Sequence, residues 1–171
     1  FKVIIDYGHN PAAVRAMCDL SDRLEIKGKR IVVIAAPGDR RDEDIAEIAR
    51  VATGHFDYYI CRRDDRLRGR KSDEVPRMLS AALKEAGVPA HNIELIPEEQ
   101  RAVEAALRRA ATGDLLLVFA DALQRTWKQV VEFRPEAGAV TAEASIPPRV
   151  ELPAAPALPI DAVHMIRDER G

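Results

Sequence analysis

Short apolar runs alternate with longer segments of helical period along most of the chain. A first run lies at Lys2–Ile5, and four more are typical of strands covered on both faces: RIVVIAAPGD, HFDYYICR, HNIELIP and GDLLLVFAD. Strict alternation of strand and helix favours right-handed crossovers between parallel strands. The sequence therefore predicts a Rossmann-like three-layer α/β domain, with a mainly parallel sheet of five or six strands and helices on both faces.

Capping residues mark where the predicted helices begin and end. Asn10 precedes Pro11 as a first helical residue, and Ser72 precedes a run of acids, as helix N-caps do. Gly28, Gly87 and Gly113 are expected to follow the last turns of three helices. A last helix is predicted at ALQRTWKQVVEF.

The composition and periodicity change after this last helix, because the next residues are rich in Pro and Ala and have no helical period. We therefore divide the chain into a domain at 1–133 and an extended tail at 134–171. The tail ends in AVHMIRDERG, for which we expect a short edge strand. The chain begins directly at its first strand and without Met, so we expect it to be part of a longer protein.

Composition narrows the function classes. The 171 residues are 47% hydrophobic and 32% charged, which suits one soluble, globular domain. A net charge of -2 argues against nucleic-acid binding, and no apolar run is long enough to span a membrane. Cys18 and Cys61 lack the spacing of metal ligands, and a cytoplasmic location is expected. We predict no metal site, and the oligomeric state stays open, a homo-oligomer included.

Four polar loops are predicted at the carboxyl ends of the strands, where open parallel sheets bind ligands. They are the first loop DYGHNP (6–11), the second loop APGDRRDED (36–44), the third loop CRRDDRLRGRKSDE (61–74) and the last loop ADALQRTWK (120–128). In the first loop, Asp6 could accept two hydrogen bonds from a ribose diol, while Asn10 with Pro11 fits ordinary helix capping. Asp6 and His9 fit a turn as well as a binding role.

The loop motifs carry a resemblance to a known family. DYGHNP resembles the motif that opens the C-terminal domain of Mur ligases and folylpolyglutamate synthetases, which are ATP-dependent enzymes that form amides through an acyl phosphate. APGDRRDEDI, DDRLRGR and FADALQRTWKQVV resemble the corresponding segments of the cyanophycin synthetases within that superfamily. The resemblance covers residues 1–133.

The resemblance implies a division of labour between domains. ATP and Mg²⁺ would be bound mainly by an upstream central ATPase domain of the same protein, and this domain would close over the nucleotide as a lid. Asp6 would contact the ribose, with Tyr7, His9 and Asn10 shaping that edge of the site. The chain contains no G-x-x-x-x-G-K-[ST] motif, so we expect the fragment alone to be inactive.

Arg40 and Arg41 in the second loop are the candidate catalytic residues. Guanidinium groups suit bidentate contact with phosphate or carboxylate, and a ligase must stabilise an acyl phosphate and the tetrahedral anion that follows it. Asp42, Glu43 and Asp44 come next and fit the positive end of a helix dipole. They are therefore expected to cap the helix and to be solvated.

The third loop is the candidate substrate site. By resemblance it would recognise the incoming amino acid, with Asp64 or Asp65 pairing with the guanidinium of arginine. Arg66, Arg68 and Arg70 would hold carboxylates of an aspartate–arginine polymer. The simpler alternative is that this run of charges is a solvated loop.

The implied reaction joins arginine to the β-carboxyl group of aspartate. A peptidoglycan or folate polyglutamate ligase is an alternative, although the arginine-rich third loop and RTWKQ argue against both. A binding module that recognises nucleotide or polymer without catalysis is a second alternative. Trp127 in the last helix is expected to pack partly into the core rather than stack on a ligand.

Overall fold

The computed structural model describes residues 1–134, in which strands and helices alternate as predicted. The strands are β1 (Lys2–Asp6), β2 (Arg30–Ile34), β3 (Tyr58–Cys61), β4 (Ile93–Leu95) and β5 (Leu115–Phe119). The helices are α1 (Pro11–Arg23), α2 (Asp42–Ala52), α3 (Glu74–Glu85), α4 (Glu99–Arg109) and α5 (Leu123–Glu132), and a 3₁₀ turn at Ala90–Asn92 precedes β4. The edge strand expected in the tail falls outside the described residues.

The strands form one parallel sheet in the order β1-β5-β2-β3-β4. The predicted fold class is confirmed, with five strands in the part of the chain that the structure describes. Every residue of β5 is buried, and Val118 pairs with Ile5 on one side and Val33 on the other. A strand so placed needs apolar side chains on both faces, which explains its continuous LLLVF sequence.

Helices cover the two faces of the sheet unequally. On one face, α1, α2 and α3 pack side by side over an apolar cluster that includes Val14, Ile48 and Leu79. On the other face, α4 and α5 cover a second cluster that includes Val103 and Leu116. The helix that follows β5 lies on one face of the sheet, and the helices that follow its neighbours β1 and β2 lie on the other face. The connections from these adjacent strands therefore leave the sheet in opposite directions. Such a switch point opens a crevice at the carboxyl ends of the strands.

The predicted helix boundaries are partly confirmed. Asn10 caps α1 by accepting a hydrogen bond from the backbone N–H of Ala13 at 2.9 Å, and Pro11 is the first helical residue. The Ser72 cap is wrong, because α3 begins at Glu74 after Asp73. The Ser72 hydroxyl instead accepts a hydrogen bond from Arg63 Nε at 3.2 Å.

The three glycines also differ in role. Gly87 follows α3 closely and has a φ of +96°, as expected of a helix terminator. Gly28 and Gly113 lie beyond the ends of α1 and α4, and they pack together through a hydrogen bond from Gly28 N to Gly113 O at 3.0 Å. A Cβ atom at Gly28 would collide with Asp114, so this close approach of two loops requires glycine.

Truncation of a buried leucine should measure what the three-helix face contributes to stability. Leu79 in α3 has no exposed surface, so Leu79→Ala should lower the free energy of unfolding by about 2–5 kcal/mol in urea denaturation of the 171-residue chain. Leu20→Ala in α1 is the matched control, since that side chain is 42% exposed and its loss should cost less than about 1 kcal/mol. Equal losses for the two variants would contradict the described packing.

Candidate functional site

A polar cleft opens at the carboxyl ends of the strands, where the four polar loops are predicted to lie. It is lined by parts of all four loops: Tyr7, Gly8, His9, Ala35, Ala36, Pro37, Arg62, Asp64, Phe119, Ala120 and Asp121. Its enclosed volume is about 10 Å³, which is room for about one water molecule. A larger ligand would therefore have to lie across the open side of the cleft, between this domain and whatever faces it.

The first loop folds around the carboxylate of Asp6. One oxygen, Oδ1, accepts a hydrogen bond from Gly8 N at 2.6 Å, and within residues 1–134 the second oxygen has no partner. A Cβ atom at Gly8 would lie 2.7 Å from Asp6 Oδ1 and 3.2 Å from the Phe119 ring. Glycine is therefore required for the backbone to turn so closely around the carboxylate. Asp6 therefore stabilises the turn through one carboxylate oxygen, and its other oxygen can still accept a hydrogen bond.

The other predicted nucleotide-edge residues also lie in this loop. Tyr7 is 54% exposed, and its ring meets the ring of His9 edge to face at 4.9 Å. His9 Nδ1 lies 3.0 Å from the backbone oxygen of Tyr7, which orients the imidazole. The Asn10 side chain caps α1, so its acceptor oxygen serves the helix.

Sequence reasoning gave no role to Arg62, which lies at the centre of the site. Arg62 is 0% exposed although it begins the most charged loop of the chain. Its Nη2 donates to the backbone oxygen of Phe119 at 2.6 Å, and two further bonds of 3.0 and 3.1 Å reach the carboxylate of Asp121. Its guanidinium also lies 2.9 Å from Glu99. The guanidinium thus joins β3, β5, α4 and the last loop.

Glu99 is the buried partner of this arginine, at 2% exposure. It accepts hydrogen bonds from Asp121 N at 2.7 Å, from Thr126 Oγ1 at 3.0 Å and from Arg125 Nη2. Burial opposes the charged form of Glu99, but the Arg62 charge, the Asp121 amide and Arg125 together lower its pKa below the usual value. Burial likewise opposes the charge of Asp121, and bonds from Arg62 and the Asp65 amide lower that pKa.

Three carboxylates, those of Asp65, Glu99 and Asp121, have oxygens within 4.8 Å of one another. Two guanidinium groups lie among them, because Arg62 pairs with Glu99 and Asp121 while Arg125 pairs with Glu99 and Asp65. The cluster is therefore an ion-pair network whose negative charges already have partners. The absence of a metal site stays a prediction.

The third loop rests on the second loop. Arg70 donates to the backbone oxygens of Gly38 at 2.7 Å and Arg40 at 2.9 Å, and it pairs with Asp42 and Glu74, each at 2.7 Å. A Cβ atom at Gly38 would collide with the backbone oxygen of Leu67. The two loops therefore form one surface whose contact depends on a glycine.

The predicted arginines divide into paired and unpaired residues. Arg41 pairs with Asp44 at 2.9 Å, and Arg68 pairs with Asp39 at 3.0 Å and Asp64 at 3.2 Å. The side chains of Arg40 and Arg66, by contrast, have neither a hydrogen bond nor an ion pair within residues 1–134. Free guanidinium groups remain available to an anionic ligand.

The two candidate acidic residues also differ. Asp64 lines the cleft, and its side chain is 13% exposed. Asp65 is held at the edge of the ion-pair network by Arg125 at 2.6 Å. The structure therefore brings Asp64, and not Asp65, to the cleft that the first loop also lines.

Comparison with known proteins decides the family. The model of the family described as Mur ligase, glutamate ligase domain matches residues 1–122. This chain belongs to the Mur ligase family. The family consists of ATP-dependent ligases, which makes this chain a ligase-family domain.

Named relatives come from two groups of Mur ligase proteins. The cyanophycin synthetase of Geminocystis herdmanii is 32% identical over 133 residues, which is 78% of this chain and 15% of the relative. The UDP-N-acetylmuramoyl-L-alanyl-D-glutamate–2,6-diaminopimelate ligase of Corynebacterium efficiens is 34% identical over 125 residues, 69% of this chain and 23% of the relative. The Mur ligase domain thus spans about 15% of the length of the cyanophycin synthetases that it matches.

Solved structures agree on the fold. E. coli FolC in complex with DHPP and ADP has a TM-score of 0.58 at 23% identity, covering 75% of this chain and 28% of FolC. A structure of UDP-N-acetylmuramoyl-L-alanyl-D-glutamate–2,6-diaminopimelate ligase has a TM-score of 0.55 at 19% identity, covering 68% and 23%. No helix in the described part of the Mur ligase domain is long and apolar enough to cross a membrane.

The expectation for Trp127 in the Mur ligase domain is wrong. Its side chain is 62% exposed, together with Leu123 at 44% on the same helix. The reason is that α5 turns Thr126 inward, where its hydroxyl bonds to Glu99, and Val130 packs toward the sheet. The adjacent tryptophan is thereby directed outward.

The lowered pKa of Glu99 makes the stability of the Mur ligase domain depend on pH. At pH 7, Glu99→Gln should lower the free energy of unfolding by about 3–5 kcal/mol, because it leaves buried Arg62 without one counter-charge. A carboxylate with a lowered folded-state pKa stabilises above its unfolded value of about 4.3 and loses this effect as pH falls through the folded-state pKa. The difference between wild type and variant should therefore shrink below about pH 4.

Urea denaturation between pH 3 and pH 8 measures this difference. Glu104→Gln on the surface of α4 is the control, since exposed pairs contribute less than about 1 kcal/mol. A wild-type-to-Glu99→Gln difference that stays constant over the whole pH range would refute the charged role of Glu99.

Proposed function

We propose that this domain is the lid of an ATP-dependent carboxylate–amine ligase that joins arginine to the β-carboxyl group of aspartate through an acyl phosphate. The observation that carries the proposal is the cleft at the carboxyl ends of the strands, where the first loop, Asp64 and Asp121 meet. Family membership and the similarity to cyanophycin synthetases support the same reaction. The rest of a longer, cytoplasmic polypeptide would supply the facing wall.

The first loop fits the ribose edge of a nucleotide. The free oxygen of Asp6 is an acceptor for a ribose hydroxyl, and the close turn at Gly8 leaves the backbone near the ligand. Tyr7 and His9 line the same edge of the cleft, and Asn10 contributes by holding the start of α1. ATP, when bound, supplies the phosphoryl group that activates the carboxylate.

The phosphates and Mg²⁺ are assigned to the preceding central domain. The chain has no phosphate-binding G-x-x-x-x-G-K-[ST] motif. The only group of three potential metal ligands found within residues 1–134 is already paired with Arg62 and Arg125. The isolated chain is therefore expected to bind nucleotide weakly and to form no amide.

Unpaired arginines are the best candidates for contact with anionic groups of the substrates. Arg40 in the second loop would stabilise the acyl phosphate and the oxyanion of the tetrahedral intermediate, because its side chain makes no hydrogen bond or ion pair within residues 1–134. Arg66 in the third loop would hold a carboxylate of the growing polymer. Arg41, Arg68 and Arg70 would shape the two loops through their ion pairs.

Asp64 is the preferred partner for the guanidinium of incoming arginine. It lines the cleft, and a carboxylate that meets a planar guanidinium can accept two parallel hydrogen bonds. Arg68 already lies 3.2 Å from Asp64, so the incoming group would share this carboxylate. Closure of the lid over both substrates would exclude water from the acyl phosphate.

Neighbouring arginines with different partners provide the test. In the complete ligase, Arg40→Ala should lower kcat by about 100-fold, the usual loss when one donor to a developing anion is removed. Arg41→Ala should change kcat by less than about threefold, because that side chain pairs with Asp44 on the surface. Steady-state release of ADP and formation of the arginine amide measure both variants. Comparable losses in kcat, or a larger loss for Arg41→Ala, would contradict the assignment.

A further inference from the structure

The backbone and the side chain of Asp65 are both held by the last loop and its helix. Asp65 N donates to Asp121 Oδ2 at 2.7 Å, and the Asp65 carboxylate accepts a hydrogen bond from Arg125 Nη2 at 2.6 Å. Two contacts on one residue fix both its position and its orientation. A residue held in this way has little freedom to follow a substrate.

The two residues that hold Asp65 are themselves anchored in the core. Asp121 receives two bonds from fully buried Arg62, which also binds the backbone oxygen of Phe119 at the end of β5. Arg125 binds buried Glu99 at the start of α4. Charge-assisted bonds of this kind are strongest where the partners are buried, as Arg62 and Glu99 are. Asp65 is therefore tied to the rigid sheet through two charged residues.

A second attachment holds the far end of the third loop. Arg70 bonds to the backbone oxygens of Gly38 and Arg40 in the second loop. Between the two attachments the chain passes through Arg68 at a φ of +49° and Gly69 at a φ of +90°. These backbone conformations make a tight turn. The position of Asp65 consequently decides where its neighbours Asp64 and Arg66 lie.

We propose that Arg62, Asp121 and Arg125 form a clamp that positions the third loop, and that Asp65 is the residue which the clamp holds. The proposal rests on the proposed function in one respect, namely that the third loop binds the incoming amine. Asp65 then acts through Arg125 as a positioning residue, whereas Asp64 contacts the substrate. Asp65 and Arg125 thus set the orientation of Asp64 without touching the incoming amine.

A double-mutant cycle in the complete ligase distinguishes holding from contact. Asp65→Asn and Arg125→Gln should each lower kcat/KM for arginine by about tenfold, and the double variant should fall no further, since each change breaks the Asp65–Arg125 pair. KM for ATP should stay unchanged. Losses that multiply to about a hundredfold would show that Asp65 and Arg125 act independently, and that result would overturn the proposal.

A surface pair of the same kind is the control. Arg77 and Asp73 form an exposed ion pair at 2.7 Å, one turn apart at the start of α3. Asp73→Asn and Arg77→Gln should leave kcat/KM for arginine within about twofold of wild type. The Asp64 cycle separates holding from contact. In an Asp64→Asn background, Asp65→Asn should cost no more than about twofold further, because the residue that the clamp orients is already changed. Losses that multiply would show that Asp65 meets the substrate itself and would overturn the proposal.

Amide hydrogen exchange on the 171-residue chain tests the clamp without any assumption about function. Arg125→Gln should speed exchange at the Asp65 amide by at least about tenfold, while the Val118 amide in β5 keeps its rate within about twofold. Asp121→Ala removes the acceptor of the Asp65 amide and should also speed its exchange, but it speeds exchange at Val118 as well, because buried Arg62 loses a counter-charge. An unchanged Asp65 rate in Arg125→Gln, or equal acceleration at Val118 in that variant, would overturn the clamp.

The two experiments separate the possible failures. If exchange at Asp65 responds to the clamp variants but amine kinetics do not, the clamp is upheld as a structural device, and its role in binding the amine is overturned together with the proposed use of the third loop. If no ligase activity toward arginine exists, only the exchange result bears on the clamp.

Discussion

The charge of Arg62 is the constraint on which the site depends. A guanidinium without solvent exposure is costly unless each side is matched by an acceptor, so residues from three other parts of the fold must converge on it. Phe119 supplies a backbone oxygen, while Glu99 and Asp121 supply negative charge. The end of β5, the start of α4 and the last loop are thereby fixed relative to one another, and the cleft inherits its shape from them.

The same electrostatics divides the remaining charges of the loops into two groups. Arg41, Arg68 and Arg70 have internal acidic partners and hold the second and third loops in one arrangement. The side chains of Arg40 and Arg66 have no hydrogen bond or ion pair within the described residues, which is why we propose them for contact with a substrate anion. Within one run of charged residues, some side chains therefore hold the loops together and others stay unpaired in the described part of the chain.

The fold follows from the sequence more directly than the site does. Alternation of apolar and amphipathic segments predicts the parallel sheet, and Asn-Pro predicts the start of α1, because both signals are local. The role of Arg62 depends on partners as far as 59 positions away, and the charged residues that follow it in sequence are exposed or half-buried. The prediction for Trp127 is wrong for a similar reason, since the hydrogen bond from the Thr126 hydroxyl to Glu99 sets which face of α5 is buried. The residues adjacent to Arg62 and Trp127 in the sequence do not indicate these long-range contacts.

Under the proposed function, this Mur ligase domain is an obligatory wall of a two-sided active site. The most direct test is to compare ATP-dependent formation of the arginine amide by the complete ligase with that of a variant lacking residues 1–134, while nucleotide binding by the remaining polypeptide is measured in parallel. The account predicts that amide formation is lost and that nucleotide binding persists, weakened by the missing ribose contact. Amide formation at the wild-type rate without these residues would contradict it.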